Sequence, residues 1–99
     1  MQTDYSDDPE FQELIQYYLD YLQESLPELK KNWDNRDYLR IEQFGHNLKG
    51  NGGVYGFFDI SEIGKQMETA AKEQDDSALE PLIKQFEVLL KEKREKHNL

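Results

Sequence analysis

The sequence has no cysteine, one tryptophan, three prolines and only two histidines. Without cysteine there is no disulfide framework, no thiolate nucleophile and no thiolate metal ligand, which fits a reducing compartment. Apolar runs extend only a few residues, far short of a membrane span, and the opening MQTDYSDDPE lacks the basic-then-apolar order of a signal segment. Positive charge is scarce as well: 12 Lys and Arg stand against 21 Asp and Glu, a formal net charge of -9. That field repels phosphate backbones and anionic lipid surfaces. The expectation is a cytoplasmic protein with neither nucleic acid nor a membrane as partner.

What is present suits a small helical domain. Ninety-nine residues make one domain, 1–99, with a modest core and no room for a separate catalytic lobe, so any chemistry sits on the surface of that core. Phe11, Leu14, Ile15, Tyr18, Leu22, Leu26, Leu29 and Trp33 recur at helical spacing and predict a long first helix, opened by Asp8, Pro9 and Glu10. Pro27 keeps the phase of that stripe but removes one backbone hydrogen bond, so a kink near Gln23 to Pro27 is expected, with a full break as the lesser alternative. A polar turn WDNRD follows, with Asp34 or Asn35 as the next cap, and Ile41, Phe44, Leu48 and Tyr55 mark a second helix. By propensity alone that helix stops at Lys49, because Gly50, Gly52, Gly53 and Gly56 each cost it about 1 kcal/mol relative to Ala.

Asp59 and Glu62 have capping-box spacing, flanked by Phe58 and Ile63 as a hydrophobic staple, so a third helix opens near Ile60 and closes near Gln74. Its buried face is Ile60, Ile63, Met67, Ala70 and Ala71. Ser77 and Glu80 suggest another capping box before a stripe of Leu79, Leu82, Ile83, Phe86, Leu89 and Leu90, with Pro81 delaying the regular helix. No strand-like alternation is present. Short connections between helices favour an all-α, antiparallel up-down-up-down four-helix bundle. Residues 1–8 and 93–99 are expected to fray, and His97 reads as a tail residue.

At about 100° per residue, His46 projects almost opposite the apolar side of the second helix and faces solvent, sharing its side with Leu39, Glu42, Gln43, Lys49, Gly50 and Gly53. Nothing in a core requires glycine on an outer face, so Gly50 and Gly53 read as keeping the surface beside the imidazole low enough for another protein's cleft to close over it. Gly45, toward the flank, reads instead as permitting close helix packing. A neutral imidazole is a competent nucleophile near pH 7, and Lys49 offers an ammonium group for a phosphoryl dianion held one turn back. Glu42, one turn before, could accept a hydrogen bond from the other ring nitrogen, but a plain surface glutamate is the preferred reading of that position.

The string HNLKGNGGVYGF from His46 to Phe57 resembles the H-x-L-K-G-x-x-x-x-x-G signature of histidine-containing phosphotransfer (HPt) domains, matching at His46, Leu48, Lys49, Gly50 and Gly56. The L-P-E-L stretch from Leu26 to Leu29 and the later helices are also similar to that family, so the resemblance spans roughly residues 10 to 92. Gly45 stands where family members carry a small residue before the histidine. The resemblance implies that His46 accepts a phosphoryl group from a phospho-aspartyl receiver domain or a histidine kinase and hands it to the Asp of another receiver. It further implies that Lys49 assists electrostatically, that Gly50 keeps the docking surface low, and that the helix runs through the glycines to about Tyr55. Partners would be response-regulator receivers or a hybrid histidine kinase. The chain would act as a monomeric carrier without kinase or phosphatase activity and without a cofactor of its own, any Mg²⁺ being held by the receiver.

Three other readings compete with this one. A di-metal carboxylate bundle needs Glu-x-x-His pairs on inward faces, and the sequence has none. A P-loop needs G-x-x-x-x-G-K-[ST] between a strand and a helix, whereas Lys49 precedes its glycines. A non-phosphorylated docking or scaffold module, with His46 a bystander on a receiver-binding face, is the strongest alternative.

Overall fold

The computed structural model describes residues 8–97, so what was expected of residues 1–7 and 98–99 lies outside the described residues. Among the described residues there are four helices, α1 (Pro9–Asp34), α2 (Tyr38–Gly52), α3 (Phe58–Lys72) and α4 (Asp76–His97), with a 3-10 turn, Gly53–Tyr55, between α2 and α3. Each helix packs on the next and α1 closes on α4, making a four-helix bundle. Early residues of one helix meet late residues of its neighbour. Asp20 reaches Arg94 and Lys30 reaches Glu87 across α1 and α4, and Gly45 and Gly52 meet Glu68 and Ser61 across α2 and α3.

The predicted stripes form the core, centred on Leu19, Leu22, Leu29, Ile41, Leu48, Ile60, Met67, Leu79, Phe86 and Leu90. Leu14 is a correction: it is 57% exposed, and Leu19, on the other side of Ile15, is buried in its place. Asp8 caps α1 by accepting from the Glu10 amide, and the helix runs unbroken through Pro27. The second cap is Asp37, accepting from the Arg40 amide, and not Asp34 or Asn35, because α1 continues to Asp34 and Arg36 makes the turn at φ 53.

Helix α3 starts two residues before the expected Ile60, so Asp59 lies inside its first turn and accepts from the adjacent Ile60 amide instead of capping the helix three residues on. The capping box is not formed, and Phe58 is exposed and staples nothing in the core. Likewise Asp75, not Ser77, accepts from the Ala78 amide at the start of α4, which continues through Pro81 without delay. The charged end of α4 is helical to His97. Lys93 pairs with Asp59 at 2.8 Å and lies over the Phe57 ring, Arg94 pairs with Asp20 at 2.7 Å, and His97 meets Phe57 edge-on. These contacts replace the solvation that fraying would have gained.

Candidate functional site

The glycines of α2 divide into two kinds by what surrounds them. A methyl added at Gly45 would stand 2.7 Å from both the Gly64 carbonyl oxygen and the Glu68 amide nitrogen, and one added at Gly64 would stand 2.6 Å from the Lys49 amide nitrogen. Backbone touches backbone along this seam, so only glycine fits. Gly52 is equally crowded, 2.7 Å from the Ser61 amide. Where α2 tightens into the 3-10 turn, Ser61 Oγ donates to the Lys49 carbonyl at 2.6 Å, fastening the end of α2 to α3. Gly56 then reverses the chain at φ 81, a left-handed conformation that favours glycine.

Gly50 is different. Among the described residues nothing lies within 4 Å of a methyl placed there, so their packing gives no reason for a glycine that weakens the helix. Gly53 corrects the expectation of bare surface at both positions: it is half-buried, and the Phe58 ring lies 3.6 Å from where its methyl would be. Phe58 has filled the space that Gly53 leaves.

The narrow seam brings α3 side chains to His46. The imidazole is 65% exposed on the outer side of α2, and its Nδ1 lies 2.8 Å from Glu68 Oε2. Lys49 Nζ donates to the other oxygen, Oε1, at 3.3 Å, leaving the carboxylate only 12% exposed beneath its two partners. The hydrogen bond from His46 holds the Glu68 carboxyl below the ordinary glutamate range. Desolvation opposes this, and the hydrogen bond and charge of Lys49 reinforce it. An ionised carboxylate can only accept, so Nδ1 carries the ring proton of the neutral imidazole and Nε2 keeps the lone pair.

Glu68, and not Glu42, is therefore the ring's partner. Glu42 is half-buried on α2; Gln43 and Leu39 are exposed one and two turns before His46. His46, Lys49 and Gly50 come together as expected. The missed residue left a trace in the sequence: interior glycines at Gly45 and Gly64 mark a close crossing, and Glu68 follows Gly64 by one turn while His46 is the residue next to Gly45. Among the described residues, no group of three or more His, Cys, Asp or Glu is arranged to hold a metal ion, and no helix is long and apolar enough to cross a membrane.

Several large apolar side chains are exposed. Tyr17 and Tyr21 on α1 share a cleft with Asn51 at the end of α2, Leu14 lies on α1, Leu39 lies on α2, and Val54 and Phe58 follow its end, whereas Val88 is on α4. A family model described as Hpt domain matches residues 13–96. No curated protein and no solved structure matches the chain.

Proposed function

The chain belongs to the Hpt domain family, the histidine phosphotransfer modules of phosphorelays, and from that membership we propose that His46 is its phosphoryl acceptor. The observation that carries this reading is the exposed ring whose Nδ1 is held by Glu68 while Nε2 points away. In the forward step the Nε2 lone pair attacks the phosphorus of a receiver's aspartyl phosphate. The N–P bond forms as the P–O bond to the aspartate breaks, and the carboxylate leaves with that electron pair. The proton on Nδ1 stays, so the ring becomes a phosphoimidazolium cation whose charge Glu68 offsets. Lys49, one turn from His46, supplies an ammonium group to the phosphoryl oxygens. The reverse step returns the group to the Asp of another receiver.

Gly50 lets the receiver approach, and Leu39, Gln43 and the apolar residues around the site contribute to the contact. Gly53 and Glu42 hold no role beyond the helix in this scheme. The chain is a cytoplasmic, monomeric carrier with no kinase or phosphatase activity of its own, and Mg²⁺ belongs to the receiver or kinase that docks on it.

Incubation with a panel of phosphorylated receivers tests the reading. Acid-labile, base-stable phosphate is expected on the unsubstituted chain and not on His46→Gln. A receiver that binds tightly yet never exchanges phosphate would make the chain a scaffold instead.

A further inference from the structure

Four of the six tyrosines in the chain converge on one cleft of about 350 Å³ between α1 and the end of α2. Tyr17 and Tyr21 form its outer wall at 75% and 52% exposure, Tyr18 is buried below them, and Tyr55 stacks on Tyr18 with ring centroids 4.2 Å apart. Asn51 completes the lining. We infer that this cleft is the seat of an arginine side chain presented by the protein that docks on His46.

Three observations select a cation over an apolar side chain. Aromatic faces carry negative potential and attract cations, most strongly where several rings share one site. The wall stands on an acidic helix: α1 carries Glu10, Glu13, Glu24 and Glu28, besides Asp20 that Arg94 already pairs, and no Lys or Arg before Lys30. The chain also uses the same pairing elsewhere, with Arg36 3.7 Å above the Trp33 ring and Lys93 4.9 Å above Phe57. Arginine is favoured over lysine because a planar guanidinium stacks on a ring while donating sideways, here to the Asn51 amide oxygen and the tyrosine hydroxyls.

Position ties the cleft to the transfer surface. Asn51 is the residue after Gly50 and lies about 7.5 Å along α2 from His46, at 1.5 Å per residue. Asn51 also lies about 140° around the helix from His46, on the side that meets α1, so a partner closing over His46 across bare Gly50 reaches the cleft by extending toward α1. The identity of that partner as a receiver rests on the phosphotransfer reading, whereas the preference of the cleft for a guanidinium does not.

The test titrates the full isotope-labelled chain with L-argininamide at physiological ionic strength, with L-leucinamide as the control of equal backbone charge. Saturable amide shifts are expected at Tyr17, Tyr21, Asn51 and Tyr55, with argininamide roughly tenfold tighter than leucinamide. The exposed pair Tyr17→Leu with Tyr21→Leu should lose that preference, and Tyr17→Phe with Tyr21→Phe should keep most of it. Equal responses to both amides, equal behaviour of the two double variants, or no saturable response in the millimolar range would each overturn the inference. Loading of the unsubstituted chain by phosphoramidate is followed in parallel. If His46 stays unphosphorylated while argininamide binds, the carrier reading fails and the cleft stands; the opposite pair of results removes the cleft alone.

Discussion

Glu68 holds two neighbours at once, and its replacement separates what it does for each. In Glu68→Ala the neutral ring is free to move its proton to Nε2, which in the proposed mechanism blocks the nucleophile. Nitrogen NMR of the ring should show the Nδ1-protonated form in the unsubstituted chain and a shift toward the Nε2-protonated form in the variant, with loading about tenfold slower. An unchanged tautomer in Glu68→Ala would remove the account of Glu68. Tyr18 offers a second residue-scale test, since its buried hydroxyl has no hydrogen-bond partner among the described residues and burial raises its pKa above the ordinary phenol value. Tyr18→Phe should raise the unfolding free energy by about 1 kcal/mol, measured by urea denaturation, because it removes an unsatisfied polar group and keeps the ring. His46 and Lys49 were legible in the sequence because they share a helical register. Glu68 was not, because its nearness to His46 depends on how two helices cross.

At the scale of the helix, α2 contains two opposite experiments. Gly50→Ala meets no neighbour, so it should stabilise the fold by up to about 1 kcal/mol through helix propensity while slowing transfer from receivers, and Gly50→Glu should slow it more. A transfer rate unchanged in Gly50→Glu would leave that glycine without an explanation. Gly45→Ala instead forces α2 and α3 apart, with an expected loss of about 1–3 kcal/mol in the same urea assay. Its ring tautomer should shift as in Glu68→Ala, because the carboxylate no longer reaches. The apolar stripes told where helices lie but misplaced three starts, since acidic and hydroxyl side chains recur near each boundary and only the chain path decides which one caps. Propensity also stopped α2 too early at Lys49. The structure shows why it continues: α3 packing and the Ser61 bond stabilise a segment that would not be helical alone.

For the molecule as a whole, charge sets the response to acid. The hydrogen bond from Arg94 lowers the Asp20 pKa, and that from Tyr38 lowers Asp76. Burial pushes Asp59 up, but Lys93 and the Ile60 amide bring it below its ordinary value, and Glu68 is lowered by His46. Folded values below unfolded ones mean that the unfolded chain takes up protons first. The stability these groups contribute is complete above the ordinary carboxylate values and is lost as pH falls through the lowered ones. The urea midpoint should therefore be lower at pH 3 than at pH 6. A midpoint that holds or rises would show that these paired carboxylates contribute little to stability.

The seam of bare backbone between α2 and α3 also fixes how α2 is turned. Rolling the helix about its long axis would drive Gly45 into the Gly64 carbonyl, so the azimuth of the imidazole is set before any visitor arrives. On the carrier reading proposed above, each visiting protein would meet a stationary target, and the orientational search would fall on the visitor alone.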